Sequence, residues 1–344
     1  MSNVTLLGID LAKNFFQLHG ADVNGKVVLK KRLKREKLLE FIVNLKPCKI
    51  YMEGCGSSNY WGRKFEGCGH EVKIINPKYV KPYVKRNKND ANDAAAIVSA
   101  ARDPEMRFGE VKTEAQQDIQ STHRIRSQLV RQRTALANQI RGLLGEYGVI
   151  IPKGVGHITN RMPKIIGNNE GNFSALMLDN LIGLYEDFKH LDQKIGVYDK
   201  KINGFLEGNE ICQRLAKIPG IGDKGATILA AVLGNGAEFK NGRHFAAFLG
   251  LVPKQHSSGD KNKLLGISKG GDTYIRTILI HGARAVVNCS GKKRDLYSRW
   301  INNLKTRVAC NVAVVALANK MARTAWAIVH SNCDYDPNYK PCMI

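Results

Sequence analysis

None of the eight cysteines (Cys48, Cys55, Cys68, Cys212, Cys289, Cys310, Cys333, Cys342) belongs to a C-x-x-C pair. This scatter argues against a zinc ribbon and a disulfide framework, and reads as buried or idle thiols in a reducing compartment. No uncharged run reaches the roughly 18 residues that a bilayer span needs. The opening MSNVTLLGID has no basic segment followed by a long apolar stretch, and Asp10 interrupts it early, so no signal peptide is read there. There is no internal repeat and no low-complexity tract. A cytoplasmic, nucleoid-associated protein with no membrane partner is expected. Acidic residues are the scarcest class relative to need: 30 Asp and Glu face 53 Lys and Arg, for a net charge of +23 and a pI of about 9.7. An extended polyanion is the natural partner of such a chain. The basic residues are not confined to tails. They run through segments with clear apolar periodicity, which favours a folded nucleic-acid-binding protein over a ribosomal or membrane-surface one.

At 344 residues the chain is long enough for two cores. Residues 4–9, 14–19 and 26–31 read as three short strands, with Asn24-Gly25 as a hairpin turn. A helix (35–44), a strand (49–52), a helix (60–68), a strand (71–75) and a helix (90–102) follow. The order predicts an α/β domain on a mixed sheet. Residues 113–147 predict one long helix with Leu129, Leu136 and Leu143 seven apart. The Gly-, Pro- and Asn-rich stretch 148–172 reads as a connector. A second long helix repeats Leu181, Leu184, Phe188, Leu191, Ile195, Tyr198, Ile202 and Phe205 by threes and fours, which is a coiled-coil stripe. Beyond Gly208 the pattern is helical and compact, and small residues in the last helices allow close packing.

Carboxylates mark the first candidate site. Asp10 ends the first strand in LLGIDLAK, and Glu53 ends a later one in CKIYMEGCGS, each the first charge after a buried run. Asp90 and Asp93, three apart in KNDANDAAAIV, share one helix face. If the two strands are neighbours and the helix crosses them, four carboxylates converge as a hard-oxygen site for two divalent cations, the arrangement suited to phosphoryl transfer. Mg²⁺ is the expected metal. The alternative for the helix pair is local, with Asp90 as cap and Asp93 in a first turn that favours negative charge.

The strand order, these four residues and the phrases GIDLAK, MEGCGSSNYW, INPKYVKPY and KNDANDAAAI resemble the DEDD insertion-sequence transposases, the group known as bridge-RNA-guided recombinases. The resemblance covers nearly the whole chain. It implies an RNase H/RuvC-like fold for residues 1–110, a long helical coiled-coil insertion over 111–207, a mostly α-helical transposase domain over 208–332 and a tail over 333–344. It further implies that Asp10, Glu53, Asp90 and Asp93 hold Mg²⁺ and that donor DNA, target DNA and a structured guide RNA are partners. In FAAFLGLVPKQHSSGDKNKLLGISKGGDTYIR, similar to the family's C-terminal signature, the serine before a glycine is the nucleophile, which gives Ser258. Spacing alone leaves Ser257 and Ser268 open.

KIPGIGDKGATIL is similar to a helix-hairpin-helix, in which Gly220, Gly222 and Lys224 would hold a phosphate at a helix N-terminus. Lys269 and Arg276, near Lys261 and Lys263, are candidates to neutralise a scissile phosphate, or else a solvated basic face. Arg124, Arg126, Arg131, Arg133 and Arg141 crowd the long helix together with His123, and no Asp or Glu lies between Gln128 and Gly145. With Lys85, Arg86 and Lys88 they are candidate RNA or DNA contacts. The leading reading is thus a recombinase that forms a phosphoserine link and works as a dimer or tetramer. The competitors are a hydrolytic nuclease resembling a Holliday-junction resolvase, with water as nucleophile, and a non-catalytic nucleic-acid-binding protein.

Overall fold

A computed structural model describes residues 3–84, 90–259 and 261–337, and the chain divides into two compact units, 1–114 and 115–344.

The first unit is a six-stranded mixed sheet with helices on both faces. Its elements are β1 (Leu6–Asp10), β2 (Phe15–Ala21), β3 (Val27–Lys34), α1 (Arg35–Val43), β4 (Lys49–Glu53), α2 (Ser58–Glu66), β5 (Glu71–Ile75), α3 (Pro77–Val80), α4 (Asp90–Ala101) and β6 (Phe108–Gly109). The strand order is β3-β2-β1-β4-β5-β6, with β1, β4 and β5 parallel and the other neighbours antiparallel. The β2–β3 turn forms where Asn24-Gly25 predicts it: the backbone N–H groups of Asn24 and Lys26 donate to Asp22 Oδ1, and Gly25 takes φ +80°. Alternation then sorts the two faces. Leu7, Ile9, Phe16, Leu18, Ile50 and Met52 pack on Leu38, Ile42, Trp61 and Phe65 of α1 and α2. The opposite face buries Tyr51 and Ile75 with Ala96, Ile97 and Ala100 of α4.

The second unit is helical apart from one hairpin: α5 (Glu114–Glu146, its first residue at the unit boundary), α6 (Val155–Asn168), α7 (Ala175–Glu207), α8 (Glu210–Ala216), α9 (Asp223–Leu233), α10 (Gly242–Phe248), β7 (Pro253–Ser258), β8 (Lys261–Ile267), α11 (Thr273–Cys289), α12 (Leu296–Lys305) and α13 (Cys310–Ser331). The stretch 148–172, expected to be a connector, contains α6. Ile158, Met162 and Ile165 of that helix are buried at helical spacing against α5 and α7, and this burial outweighs Pro163 and the glycines around it. By length and composition α13 could cross a membrane, yet Ala313, Leu317, Ala318, Met321, Ala322 and Ala325 form part of the unit's core. Close packing here depends on glycine: a Cβ on Gly282 of α11 would lie 1.9 Å from the Gly220 carbonyl oxygen.

The two 33-residue helices α5 and α7 are held by apolar clusters at either end and by charge between them. On α7, Leu181, Phe188, Ile195 and Ile202 are buried, whereas Leu184, Leu191, Tyr198 and Phe205 are only half-buried. On α5 the buried row is Ile119, His123, Ala137, Ile140 and Leu144, so Leu129, Leu136 and Leu143, the expected seam, sit beside it half-buried. Arg126 and Arg133 occupy the middle of that row and bind Asp199 and Asp192 of α7. Nearby, the 1 %-exposed His123 bridges Thr227 Oγ1 through Nε2 and the Tyr274 hydroxyl through Nδ1, both at 2.9 Å. Thr227 donates its own hydroxyl to the Asp223 carbonyl, which leaves its oxygen to accept from Nε2–H and Nδ1 to accept from Tyr274. Burial, with Arg126 and Lys224 nearby, lowers the His123 pKa to about 4.

A histidine whose folded pKa is depressed is stabilising above its unfolded value near 6.5, and that contribution is lost as pH falls toward 4. We therefore expect the second unit to lose stability between pH 6.5 and 4 with a slope approaching about 1.4 kcal/mol per pH unit. Urea titrations at stepped pH measure this slope. It should flatten in His123→Gln, and an equal slope in that variant would assign the acid sensitivity to other groups.

Candidate active site

Strands β1 and β4 are parallel neighbours whose register runs from Leu6 opposite Lys49 to Ile9 opposite Met52. The next positions are Asp10 and Glu53, so both carboxylates leave the sheet at one edge, at the C-terminal ends of adjacent central strands. Both are half-buried. Helix α4 is laid on β1 at Gly8, two residues before Asp10. A Cβ there would lie 2.7 Å from Val98 Cγ2 and 2.8 Å from the Ala94 carbonyl oxygen, so only glycine permits this approach. Asp93 adjoins Ala94 and is half-buried, while Asp90, one turn earlier, is exposed. The structure thus draws Asp10, Glu53 and the start of α4 toward one sheet edge. Among the described residues, no three His, Cys, Asp or Glu side chains close into a cage tight enough to hold a metal. The donor set is nonetheless all carboxylate, the hard-oxygen chemistry that Mg²⁺ takes.

Ser258 stands at the tip of the β7–β8 hairpin, opposite Lys261 and next to Gly259 at φ +57°. The ribbon has no buried residue, and Leu264 on it is 67 % exposed. Ser257 accepts a hydrogen bond from Gln255 Nε2 at 2.8 Å, and Ser268, at the foot of the hairpin, accepts from the Gly270 N–H at 3.4 Å. Among the described residues, no side chain hydrogen-bonds to the Ser258 hydroxyl.

Several basic residues expected to meet nucleic acid are engaged within the second unit. Arg276 is buried and donates to the carbonyls of Leu249 and Gly270 and to Thr273 Oγ1; it fastens the loop before α11 and has no surface to offer a phosphate. Arg126 donates to Asp199, which also receives Lys224 at 2.9 Å. Burial works against the Asp199 carboxylate, but the hydrogen bonds and charges of these two cations hold its pKa below the usual range. Arg133 pairs with Asp192, and Arg141 donates to the carbonyls of Pro152 and Gly154. His123 is neutral and buried. Gly220, at φ +90°, is explained by its contact with Gly282, whereas Gly222 is exposed at the start of α9. Arg124, Arg131 and Lys269 remain exposed, and Lys85, Arg86 and Lys88 lie outside the described residues. Counting charge along α5 missed the acids that neutralise it, because they come from α7, 59 and 73 residues away.

An α/β unit with carboxylates at one sheet edge, followed by a helical unit carrying an exposed serine hairpin, is matched by two transposase family models. One, the DEDD transposase model of the IS110 group, described as Transposase, covers residues 7–149, and the other, described as Transposase IS116/IS110/IS902 family, covers residues 212–298. The first spans all four carboxylates and the second spans Ser258. The chain is 45 % identical to a probable family 20 transposase of Pseudomonas aeruginosa over 97 % of its own length and 99 % of that protein's. It is 44 % identical to the transposase for insertion sequence element IS1111A of Coxiella burnetii over 96 % and 90 %. A pilin gene-inverting protein of Moraxella bovis matches at 24 % over 96 % and 98 %. The chain belongs to the DEDD-type IS110 family of insertion-sequence transposases and is a DNA transposase.

The pairing predicts a division among the arginines. Arg124→Gln with Arg131→Gln should leave the unfolding midpoint unchanged and flatten the dependence of log K for duplex DNA on log salt by roughly 0.9 unit per lost phosphate contact. Arg126→Gln with Arg133→Gln should instead destabilise the second unit by about 1 kcal/mol or more, since both guanidiniums are largely covered, while Asp199 keeps Lys224 and Asp192 is exposed. Equal stability in both pairs would show that α5 and α7 do not depend on these ion pairs.

Proposed function

We propose that the chain cleaves and rejoins DNA through a transient phosphoserine bond at Ser258, with Asp10, Glu53, Asp90 and Asp93 holding Mg²⁺ in an RNase H/RuvC-like first unit. The observation that carries this is the adjacency of Asp10 and Glu53 at the ends of parallel β1 and β4, with α4 seated on β1 beside them. The strand order, three antiparallel strands followed by two parallel ones, supports the fold assignment. Carboxylates at the ends of adjacent strands offer the hard oxygen donors that Mg²⁺ takes, which supports a metal at this edge. When bound there, Mg²⁺ supplies positive charge that stabilises the charge developing on a phosphoryl oxygen.

Ser258 Oγ forms the bond to phosphorus while the bond to the leaving strand's sugar oxygen breaks, and that oxygen takes up a proton as the serine hydroxyl loses one. A strand hydroxyl reverses the step, so the phosphodiester is conserved without an external energy source. The name of the Moraxella bovis relative, a gene-inverting protein, supports rejoining over hydrolysis, because inversion must reseal what it cuts. The exposed Arg124 and Arg131, and the resemblance to bridge-RNA-guided recombinases, support a structured guide RNA that sets the DNA target by pairing. The half-buried positions of α7 support a dimer or tetramer. Residues 1–110, 111–207 and 208–332 are read as the metal, helical and serine domains. The exposure of Ser258 on a ribbon with no buried residue favours the alternative, a resolvase-like nuclease using water.

A suicide DNA substrate, nicked so that the leaving strand diffuses away, separates the two. The protein should form a covalent adduct that survives denaturation and maps to the peptide with Ser257, Ser258 and Gly259. Ser258→Ala should abolish it, and Asp10→Ala or Glu53→Ala should slow cleavage by roughly three or more orders of magnitude while duplex binding persists. Wild-type cleavage by Ser258→Ala establishes water as the nucleophile, and full activity in Asp10→Ala removes the metal assignment.

A further inference from the structure

A cleft of about 1230 Å³ in the second unit takes no part in the chemistry above. Its floor is the face of α13 that turns away from the core, where Val315, Ala316 and Ala327 are apolar and only partly covered. Trp300 of α12 forms one wall and the foot of the Ser258 hairpin another, so the strand that ends at Ser258 begins at the rim. Arg243, Lys269, Lys320 and Arg323 line it, and no carboxylate does. None of these four cations has an ion pair among the described residues, in contrast to the arginines of α5. Lys320 is held 4.3 Å over the Trp300 ring and 5.3 Å over Tyr297. Burial, followed by the charge of Arg323, lowers its pKa. Unpaired cations around a partly dry cleft repel one another, and an external anion relieves that repulsion. Lys269 also takes φ +54°, a left-handed conformation that a lysine adopts only at a cost.

The volume exceeds the roughly 300–1,000 Å³ of pockets that enclose one drug-sized ligand. It therefore admits a few nucleotides of one strand and is too small for a duplex, whose stacked bases would present no apolar face to the floor. We propose that this cleft holds an unpaired stretch of DNA beside the Ser258 hairpin, with phosphates on Lys269, Lys320, Arg323 and Arg243 and bases against Trp300 and the α13 floor. Aromatic faces with flanking cations are the general means of holding single strands without reading sequence. The choice of DNA as the strand rests on the function proposed above. The strand's chemistry, a polyanion with exposed base faces, follows from the lining.

The test uses the full-length protein carrying Ser258→Ala and fluorescein-labelled oligothymidine of about twelve nucleotides, within the site sizes typical of single-strand binders. Anisotropy gives the affinity. Lys320→Gln with Arg323→Gln should weaken binding roughly tenfold and flatten the salt dependence by about 1.4 units, roughly 0.7 for each lost phosphate contact. Trp300→Leu should weaken it roughly tenfold without changing the salt slope. Lys269→Gly should lose affinity while keeping or raising the unfolding temperature, because glycine accepts the left-handed backbone; that combination excludes misfolding as the cause.

Unchanged affinity and slope in the double variant would overturn the cleft. So would self-association that the same substitutions abolish while oligothymidine binding persists, since the cleft would then join two copies of the chain. Binding of oligouridine but not oligothymidine, with the same losses, would replace DNA by RNA. The covalent adduct, assayed separately in variants that retain Ser258, reports on the nucleophile. An adduct that survives while strand binding is insensitive to the cleft variants defeats this inference alone.

Discussion

Surplus positive charge is the constraint to which the second unit is built. With 53 basic and 30 acidic residues and a net charge of +23, many cations have no acidic partner of their own inside the chain, and the fold decides which ones do. Asp199 and Asp192 of α7 are spent on Arg126, Lys224 and Arg133, in the row where α5 and α7 would otherwise need apolar contacts. Charge thus replaces hydrophobic burial along the middle of that pair, between apolar clusters at its two ends. Such pairs gain little net energy over apolar residues of the same volume, but removing one partner leaves a costly half-buried charge, so they fix which residues face each other. Arg124, Arg131 and the four cations of the α13 cleft lack such acids and keep their charge for an external anion.

The first unit solves the opposite problem, since its candidate site concentrates negative charge. Backbone geometry sets the arrangement: a parallel register places Asp10 and Glu53 side by side, and a missing Cβ at Gly8 lets α4 lie close on β1 at Ala94, the residue after Asp93. The cost of like charges at that edge is carried by the packing of Leu7, Ile9, Ile50, Met52 and the α4 alanines beneath it. Rigid central strands are a suitable base for this, because a site held on strands is displaced less by repulsion than one held on loops.

Much of the first unit was legible in the sequence because one rule governs it. Buried strands alternate, turns carry Asn-Gly, and the first charge after an apolar run marks the sheet edge, so β1, β2, β4, β5 and their carboxylates could be placed within a residue or two. The failures share a cause as well. Helix α6 was hidden by the glycines and Pro163 around it, although Ile158, Met162 and Ile165 carried a helical spacing that tertiary contact made decisive. The β7–β8 hairpin has no buried face, so it has no alternation to read. The partners of Arg126, Arg133 and Arg276 were likewise not legible, because a sequence displays charge and conceals what pairs with it. The acids of α7 and the carbonyls of Leu249 and Gly270 become visible only in the fold.

The contrast between the two candidate reacting elements bears on how a strand-cutting enzyme remains harmless at rest. The carboxylates are half-buried on a rigid sheet, while Ser258 rides on an exposed ribbon whose side chains make no core. An alcohol becomes a good nucleophile through a base or a metal, and carboxylates stabilise phosphoryl charge only through the cation they hold. On the proposed function, neither element is reactive alone, and reaction requires metal, strand and serine to meet at one phosphate. A strand held in the α13 cleft, at the foot of the ribbon, would contribute to that meeting by fixing the phosphate's distance from Ser258, and positioning of this kind supplies a large share of rate enhancement. The exposed hairpin is then less a finished active site than a nucleophile whose reactivity depends on nucleic acid being in place.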